Sequence, residues 1–251
     1  MGKLNGKRAV VTGGSSGIGL ATARRMIEEG ARVAIVSNDA AGLEAAARDL
    51  GSQCVALEAD LTRTDSIPSL KEAIMARLGP PDIVFLNAGV ARYASLEQMT
   101  VAQFDEMYGL HVKVPLFIIK ALVPDMPDGS TILFTSSNSA KLGLAQTHIY
   151  ASSKAAIRQL VRTLANELAP RGIRVNALTP GPVITNIGST TGLSAAEVEK
   201  LGAYAIGKIP LGRWAEADEM ARVALFLVSN DASFVNATEV IADGGWTGVG
   251  R

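Results

Sequence analysis

The chain of 251 residues is predicted to fold as an α/β domain. Its core would be a doubly wound parallel β-sheet of about seven strands with helices on both faces. Short β-branched runs alternate with longer helical stretches from one end to the other. The strand runs are apolar continuously rather than at every second residue, as expected when both faces of a sheet are covered. Strand alternating with helix over the whole length calls for parallel pairing.

In order, "RAVVT" (8–12), "RVAIV" (32–36), "CVALE" (54–58), "DIVFL" (82–86), "TILFT" (131–135) and "IRVNAL" (173–178) read as buried strands. "TEVIADGG" (238–245) supplies the last one. Helical patterns occupy 17–29, 40–50, 66–78, 101–123, 152–169 and 214–230. Gly30 stops the first helix and Pro170 stands just past the fifth. Residues 186–210 depart from the rhythm, with four glycines and weak helical periodicity, and are expected to form a mobile insertion, a lid. No Pro/Gly/Ser-rich linker or internal repeat divides the chain, so one domain over 1–251 is expected.

Composition narrows the function. Lys+Arg and Asp+Glu number 24 each, a formal net charge of zero, which argues against nucleic acid or an anionic membrane as partner. Cys54 is the single cysteine, so no internal disulfide forms and a reducing, cytoplasmic setting fits. One cysteine and two histidines give no metal-ligand cluster. The N-terminus lacks the apolar stretch of a signal peptide, and Gly6 stands where myristoylation needs Ser or Thr. The most apolar segment, "VPLFIIKALVP", is expected to be too short to span a bilayer.

Chemistry concentrates in two places. "VVTGGSSGIGLATARRM" sets Gly13, Gly17 and Gly19 between the first strand and the first helix. Glycines permit a tight turn and close backbone approach, and a helix N-terminus offers free N–H groups to a pyrophosphate. The plainer alternative is a βα turn without a ligand; the alternating context favours nucleotide binding. The absence of a Lys-Ser/Thr pair excludes a P-loop. Further on, Tyr150 precedes Lys154 by four residues, one helical turn, so both lie on one face. A free phenol has a pKa near 10, and a neighbouring cation favours the phenolate by about 1.36 kcal/mol per pKa unit.

The glycine spacing is Gly-x-x-x-Gly-x-Gly rather than the common dinucleotide fingerprint. Together with "DLT" (60–62), "NAG" (87–89), Ser137, "YASSK" (150–154), "PGPVIT" (180–185) and the stretch from Pro210 to Gly245, it resembles the short-chain dehydrogenase/reductase family over essentially the whole chain. The length matches the compact members with a Rossmann-type sheet.

That resemblance implies NAD(P)-dependent interconversion of a carbonyl compound and a secondary alcohol. Tyr150 would be the general acid/base, Lys154 would lower its pKa and hold the nicotinamide ribose, and Ser137 would hydrogen-bond the reacting oxygen. The hydride belongs to the cofactor. Gly13, Ser15, Ser16, Gly17, Ile18 and Gly19 would cradle the pyrophosphate. Asp60 and Leu61 would meet the adenine, the Asn87–Ala88–Gly89 backbone would flank the adenosine ribose, and Pro180, Gly181, Val183 and Thr185 would hold the carboxamide. Ser139, His148 and Tyr204 are candidate substrate contacts. Singly, each residue has a plainer reading: a turn serine, a helix-surface Tyr–Lys pair, a helix cap at Asp60, a Pro-Gly turn, a solvent-facing His148. The family spacing selects Ser137 over Ser136.

Two positions depart from the family pattern. His111 stands where an asparagine usually completes a tetrad. Either its side chain preserves the proton relay, with titration near pH 6.5, or it packs against the cofactor side while its backbone carbonyl serves. Leu86 replaces the first asparagine of "NNAG". At the end of the second strand, Ser37 fills the slot of an NAD-type aspartate and Asn38 that of an NADP-type arginine, with Asp39 one or two places late. The balance tips slightly to NADP(H). The partner is a small carbonyl or alcohol substrate facing a mostly apolar wall, in a homotetramer or homodimer assembled on 101–123 and 152–169. The competing reading is a non-catalytic dinucleotide-binding sensor, against which the intact Ser137–Tyr150–Lys154 set argues.

Overall fold

The strands are β1 (Arg8–Thr12), β2 (Arg32–Ser37), β3 (Cys54–Glu58), β4 (Ile83–Leu86), β5 (Thr131–Thr135), β6 (Arg174–Pro180) and β7 (Glu239–Ala242). They form one sheet in a computed structural model, which describes residues 2–249. Every neighbouring pair is parallel. The order is β3-β2-β1-β4-β5-β6-β7, so the winding reverses between β1 and β4. Such a reversal opens a crevice beyond the carboxyl ends of the strands.

The continuous apolar runs supply two cores at once. Val10, Ala34, Val36 and Val84 face a layer made by α3 (Ile67–Arg77), α5 (Val114–Leu122) and α6 (His148–Leu168). Ala9, Val11, Val33, Ile35 and Phe85 face α1 (Gly17–Glu28), α2 (Ala40–Leu50) and α8 (Ala217–Val228). Along α6 the buried apolar residues Ile149, Ile157, Val161, Leu164 and Leu168 recur at helical spacing, which holds one stripe on the sheet. Arg25 of α1 forks onto Asp218 of α8 at 2.6 and 2.7 Å.

Three elements differ from expectation. The helix expected at 101–123 is α4 (Val101–Tyr108), a π-turn over Gly109–Lys113, and then α5. Pro115 has no N–H for the carbonyl four residues back, that of His111, and the helix widens there. The run Val101–Asp125 is therefore long and apolar enough, at a mean hydropathy of 1.3, to cross a membrane by length and composition. Half of its most apolar 18-residue window packs inside the molecule, as in the core helix of a globular domain, and the segment 114–124 is by itself too short to span a bilayer. The insertion at 186–210 is more regular than its glycines suggested. A 3₁₀ turn (Asn186–Thr190) leads to α7 (Ala195–Lys208), started by a Ser194–Glu197 capping box. Finally, α6 begins four residues earlier than expected, which places Tyr150 in its first turn.

Candidate active site

Asn87, one residue past β4, pins three strand ends together. Its N–H donates to Thr12 Oγ1 at 2.9 Å, and its amide Nδ2 donates to the Thr12 carbonyl at 3.2 Å. Its Oδ1 accepts from Thr135 Oγ1 at 3.0 Å. Above this knot the glycine loop turns tightly: Gly13 and Gly17 have φ of +63° and +53°, a region that favours glycine. A Cβ on Gly19 would lie 2.1 Å from the Gly13 carbonyl oxygen, so the loop closes only without a side chain there. Ser16 begins α1 with no side-chain cap over its first N–H groups, leaving the positive helix end open to an anion.

A crevice of about 770 Å³ runs from this loop across the sheet edge. Its lining brings together Gly13, Ser15, Ser16, Gly17, Ile18, Ser37, Asn38, Leu61, Asn87, Ala88, Gly89, Pro180, Gly181, Val183 and Thr185 with Ser137, Ser139, Tyr150 and Lys154. A glycine cradle, an open helix N-terminus and a long slot beyond it fit a dinucleotide.

At the far end, Ser37 Oγ accepts from Ser15 Oγ (3.0 Å) and from the Asp39 N–H (3.1 Å), so its own proton is free to be donated. Asp39 caps α2, accepting the Gly42 N–H at 3.0 Å, and among the described residues no Lys or Arg lines this end. Asp60 is exposed and outside the lining, with Oδ1 held by the Thr62 N–H and hydroxyl at 2.9 and 2.7 Å. It does not cap α3, which Ser66 precedes.

Ser137 follows β5 and accepts the Ser139 N–H at 3.2 Å, leaving its hydroxyl proton for another acceptor. Tyr150 and Lys154 share the inner face of α6, both buried, with Lys154 Nζ 5.9 Å from the Tyr150 ring centroid. That ammonium donates to the Thr135 carbonyl at 3.0 Å. Burial raises the Tyr150 pKa, and a hydrogen bond from Ser137 pulls it back. Burial takes Lys154 itself down to about 7, so near neutral pH its charge is only partial.

His111 lies in the π-turn, 1% exposed and outside the crevice lining. The Val90 N–H donates to its Nε2 at 3.2 Å, which leaves Nδ1 as the protonated nitrogen. Nδ1–H then donates to Ser153 Oγ at 2.8 Å, and Ser153 donates to the Tyr150 carbonyl at 2.8 Å. Burial first, and then the Lys154 charge, hold the imidazole well below 6.5. This corrects the expected titration near pH 6.5: a charged ring would need a proton on Nε2, where the Val90 N–H already points.

The three candidate substrate contacts separate. Ser139 lines the crevice. His148 is exposed at the start of α6, and Tyr204 is 50% exposed with its ring edge-on to Trp246; neither lines the crevice. Several lining or supporting residues carried no signal in the sequence. Thr135 and Ser153 act through partners distant along the chain, Arg92, Glu106, Asn138 and Trp246 line the crevice outside the motifs named above, and Trp214 lines it from within the 210–245 stretch without having been singled out there.

A buried lysine at about 7, against 10.5 when exposed, has a stability signature. Between those values the unfolded chain binds more protons than the folded one, so stability rises with pH across that window. Below about 7 both states are protonated and the penalty is at its full size. Relative to a Lys154→Met variant, the cofactor-free protein should gain melting temperature between pH 7 and 9.5. Parallel Tm–pH curves for the two proteins would show that Lys154 is not desolvated as described.

Comparison with known proteins agrees with this geometry. Residues 13–247 match the family model described as Enoyl-(Acyl carrier protein) reductase. The chain is 38% identical over 249 residues to Oxidoreductase asL5 of Sarocladium schorii, covering 97% of this chain and 96% of that protein. A solved short chain dehydrogenase/reductase family protein superposes with a TM-score of 0.86 at 37% identity, over 98% of this chain and 99% of the other. A blue fluorescent protein from a metagenomic library, solved in complex with NADPH, superposes at 0.89 with 31% identity, over 97% and 99%. With its seven-stranded parallel sheet and glycine-loop crevice, the chain belongs to the short-chain dehydrogenase/reductase family and is an oxidoreductase of that type.

Proposed function

We propose that the protein interconverts a ketone and a secondary alcohol with a nicotinamide dinucleotide, using Tyr150 as general acid/base. The observation that carries this reading is the convergence of Ser137, Tyr150 and Lys154 on one wall of the crevice that the glycine loop opens. When bound, the reduced dinucleotide supplies a hydride to the carbonyl carbon. The Ser137 hydroxyl, which hydrogen-bonds Tyr150 when no substrate is present, would donate to the carbonyl oxygen and orient it. As the C=O π pair moves onto that oxygen, Tyr150 Oη delivers the proton. Lys154, fixed by the Thr135 carbonyl, places its partial charge beside the phenol and would hold the ribose hydroxyls. His111 acts as a neutral brace. It ties the Val90 backbone, next to Gly89 in the crevice wall, to the first turn of α6 that carries Tyr150. It moves no proton.

For the dinucleotide, the preference proposed is a slight one for NADP(H). Asp39 spends its carboxylate on the α2 cap rather than on a ribose, and Ser15, Ser37 and Asn38 offer only neutral polar groups. The neighbour solved with NADPH supports this direction. Residues 186–210 would serve as the lid, and the exposed Val101, Phe104 and Phe117 on α4 and α5 suit packing against a second copy. The intact trio favours an active enzyme over a dinucleotide sensor.

Tyr150→Phe should lower kcat by at least ~10²-fold, the typical loss with a general acid. Dinucleotide affinity, read by titration, should be unchanged. A folded Tyr150→Phe protein with near wild-type turnover would refute the assignment. For His111, Asn should retain most activity and the wild-type shape of the kcat–pH profile, because no proton change is lost. Leu would leave the Val90 N–H unpaired, a penalty of about 1–3 kcal/mol, and should lower kcat about tenfold or more. A His111→Asn profile that loses an inflection near pH 6.5 would restore histidine as a proton carrier.

A further inference from the structure

The crevice continues past Ser137 and Tyr150 into a chamber between the 90–93 loop, the 3₁₀ turn and α7. Its apolar lining there includes Tyr93, Leu144, Ile187, Leu201, Trp214 and Trp246, three of them aromatic, beside uncharged polar residues such as Asn186, Ser189 and Thr191. Among the described lining residues, four carry formal charge: Asp39, Arg92, Glu106 and Lys154. Asp39 sits at the β2–α2 turn as the α2 cap, and Lys154 is held by Thr135 beside Tyr150. Arg92 and Glu106 are left, and they neutralise each other. Nε and Nη2 of Arg92 fork onto the Glu106 carboxylate at 2.9 and 2.8 Å, while Nη1 donates to the Thr190 carbonyl at 2.6 Å. Each raises the other's preference for its charged form: Glu106 is held below the usual carboxylate range by Arg92, and Arg92 is raised by Glu106.

This arrangement decides what the chamber accepts. A carboxylate or phosphate on the substrate would find the guanidinium taken and a like charge beside it. An ammonium would find Glu106 committed in the same way. An uncharged apolar body meets indole and phenol faces that gain from removal of water, with ring edges available for offset or edge-on contact. We propose that the substrate is an uncharged ketone, or the matching secondary alcohol, with an apolar aromatic body, and that the Arg92–Glu106 pair sets the discrimination against anions. This rests on the oxidoreductase reading above.

The chain's two tryptophans are Trp214 and Trp246, and both line the crevice, so intrinsic fluorescence reports occupancy without turnover. Acetophenone and 4-acetylbenzoate form a matched neutral and anionic pair. Each is titrated against the protein saturated with oxidised dinucleotide, where no reaction follows, and each is assayed as substrate with the reduced form. Acetophenone should bind and react at least tenfold better by Kd and kcat/KM. Glu106→Gln, which leaves Arg92 available, should narrow both ratios to about threefold or less. The double variant Arg92→Met with Glu106→Gln, carrying neither charge, should widen them again. Equal use of the two ketones by the wild type, or ratios unmoved in a folded Glu106→Gln protein, would overturn the proposal while leaving the oxidoreductase reading in place. Selective quenching by acetophenone without turnover would instead remove the ketone-reduction reading proposed above and keep the chamber's preference. Absence of quenching by either ketone would overturn the proposal.

Discussion

Every distance in the crevice depends on where β1, β4 and β5 end relative to one another, and the Asn87 side chain fixes that relation. Its amide donates across to the Thr12 carbonyl at the tip of β1, and its carbonyl oxygen accepts from Thr135 at the tip of β5. The Thr135 carbonyl in turn receives the Lys154 ammonium. A single side chain thus connects the glycine loop, which follows Thr12, to the lysine on α6. The strand-order reversal creates the space, and these hydrogen bonds set its width. Displacing one strand tip would alter the glycine loop and the Ser137–Tyr150–Lys154 wall together.

Burial is the second constraint, and it works against charge. Tyr150, Lys154 and His111 are all nearly withdrawn from water, and the charged form of each is disfavoured. For His111 the outcome is a neutral ring whose two nitrogens are both used in hydrogen bonds, one to the loop after β4 and one to α6. The π-turn around it follows from Pro115, which withholds an N–H from the His111 carbonyl. The same helix bulge that widens the turn brings the imidazole to Val90 and Ser153. For Lys154, burial takes the ammonium's pKa down to about 7, and the Thr135 carbonyl holds the group in place.

Much of the fold was legible in the sequence, because a sheet covered on both faces demands apolar runs that no alternating pattern imitates. All seven strands lie where those runs stand, and the boundaries of α2 match residue for residue. The helix at 101–123 was legible as a helix but not as a bulged one, since periodicity over a window averages away one widened turn. α7 was obscured because its residues face the crevice and solvent more than the core, which leaves no strong apolar stripe. Ser137, Tyr150, Lys154 and the glycine loop were visible as local motifs. The Val90–His111–Ser153 brace and the Arg92–Glu106–Thr190 contacts were not, since their partners stand 14 to 98 residues apart and nothing local marks them. His148 and Tyr204 were plausible by position, yet both are exposed and neither is part of the crevice lining.

The central claim is that this crevice aligns a ketone for direct hydride transfer, with a proton delivered separately from the Tyr150 wall. The most direct measurement is the fate of label in single-turnover reduction of acetophenone, using reduced dinucleotide deuterated on one or the other face of the nicotinamide C4. Deuterium from one face alone should appear at the carbinol carbon, with none from the opposite face and none from solvent D₂O at that carbon. Solvent deuterium at the carbinol carbon, or equal transfer from both faces, would contradict a geometry fixed by Ser137, Tyr150 and Lys154.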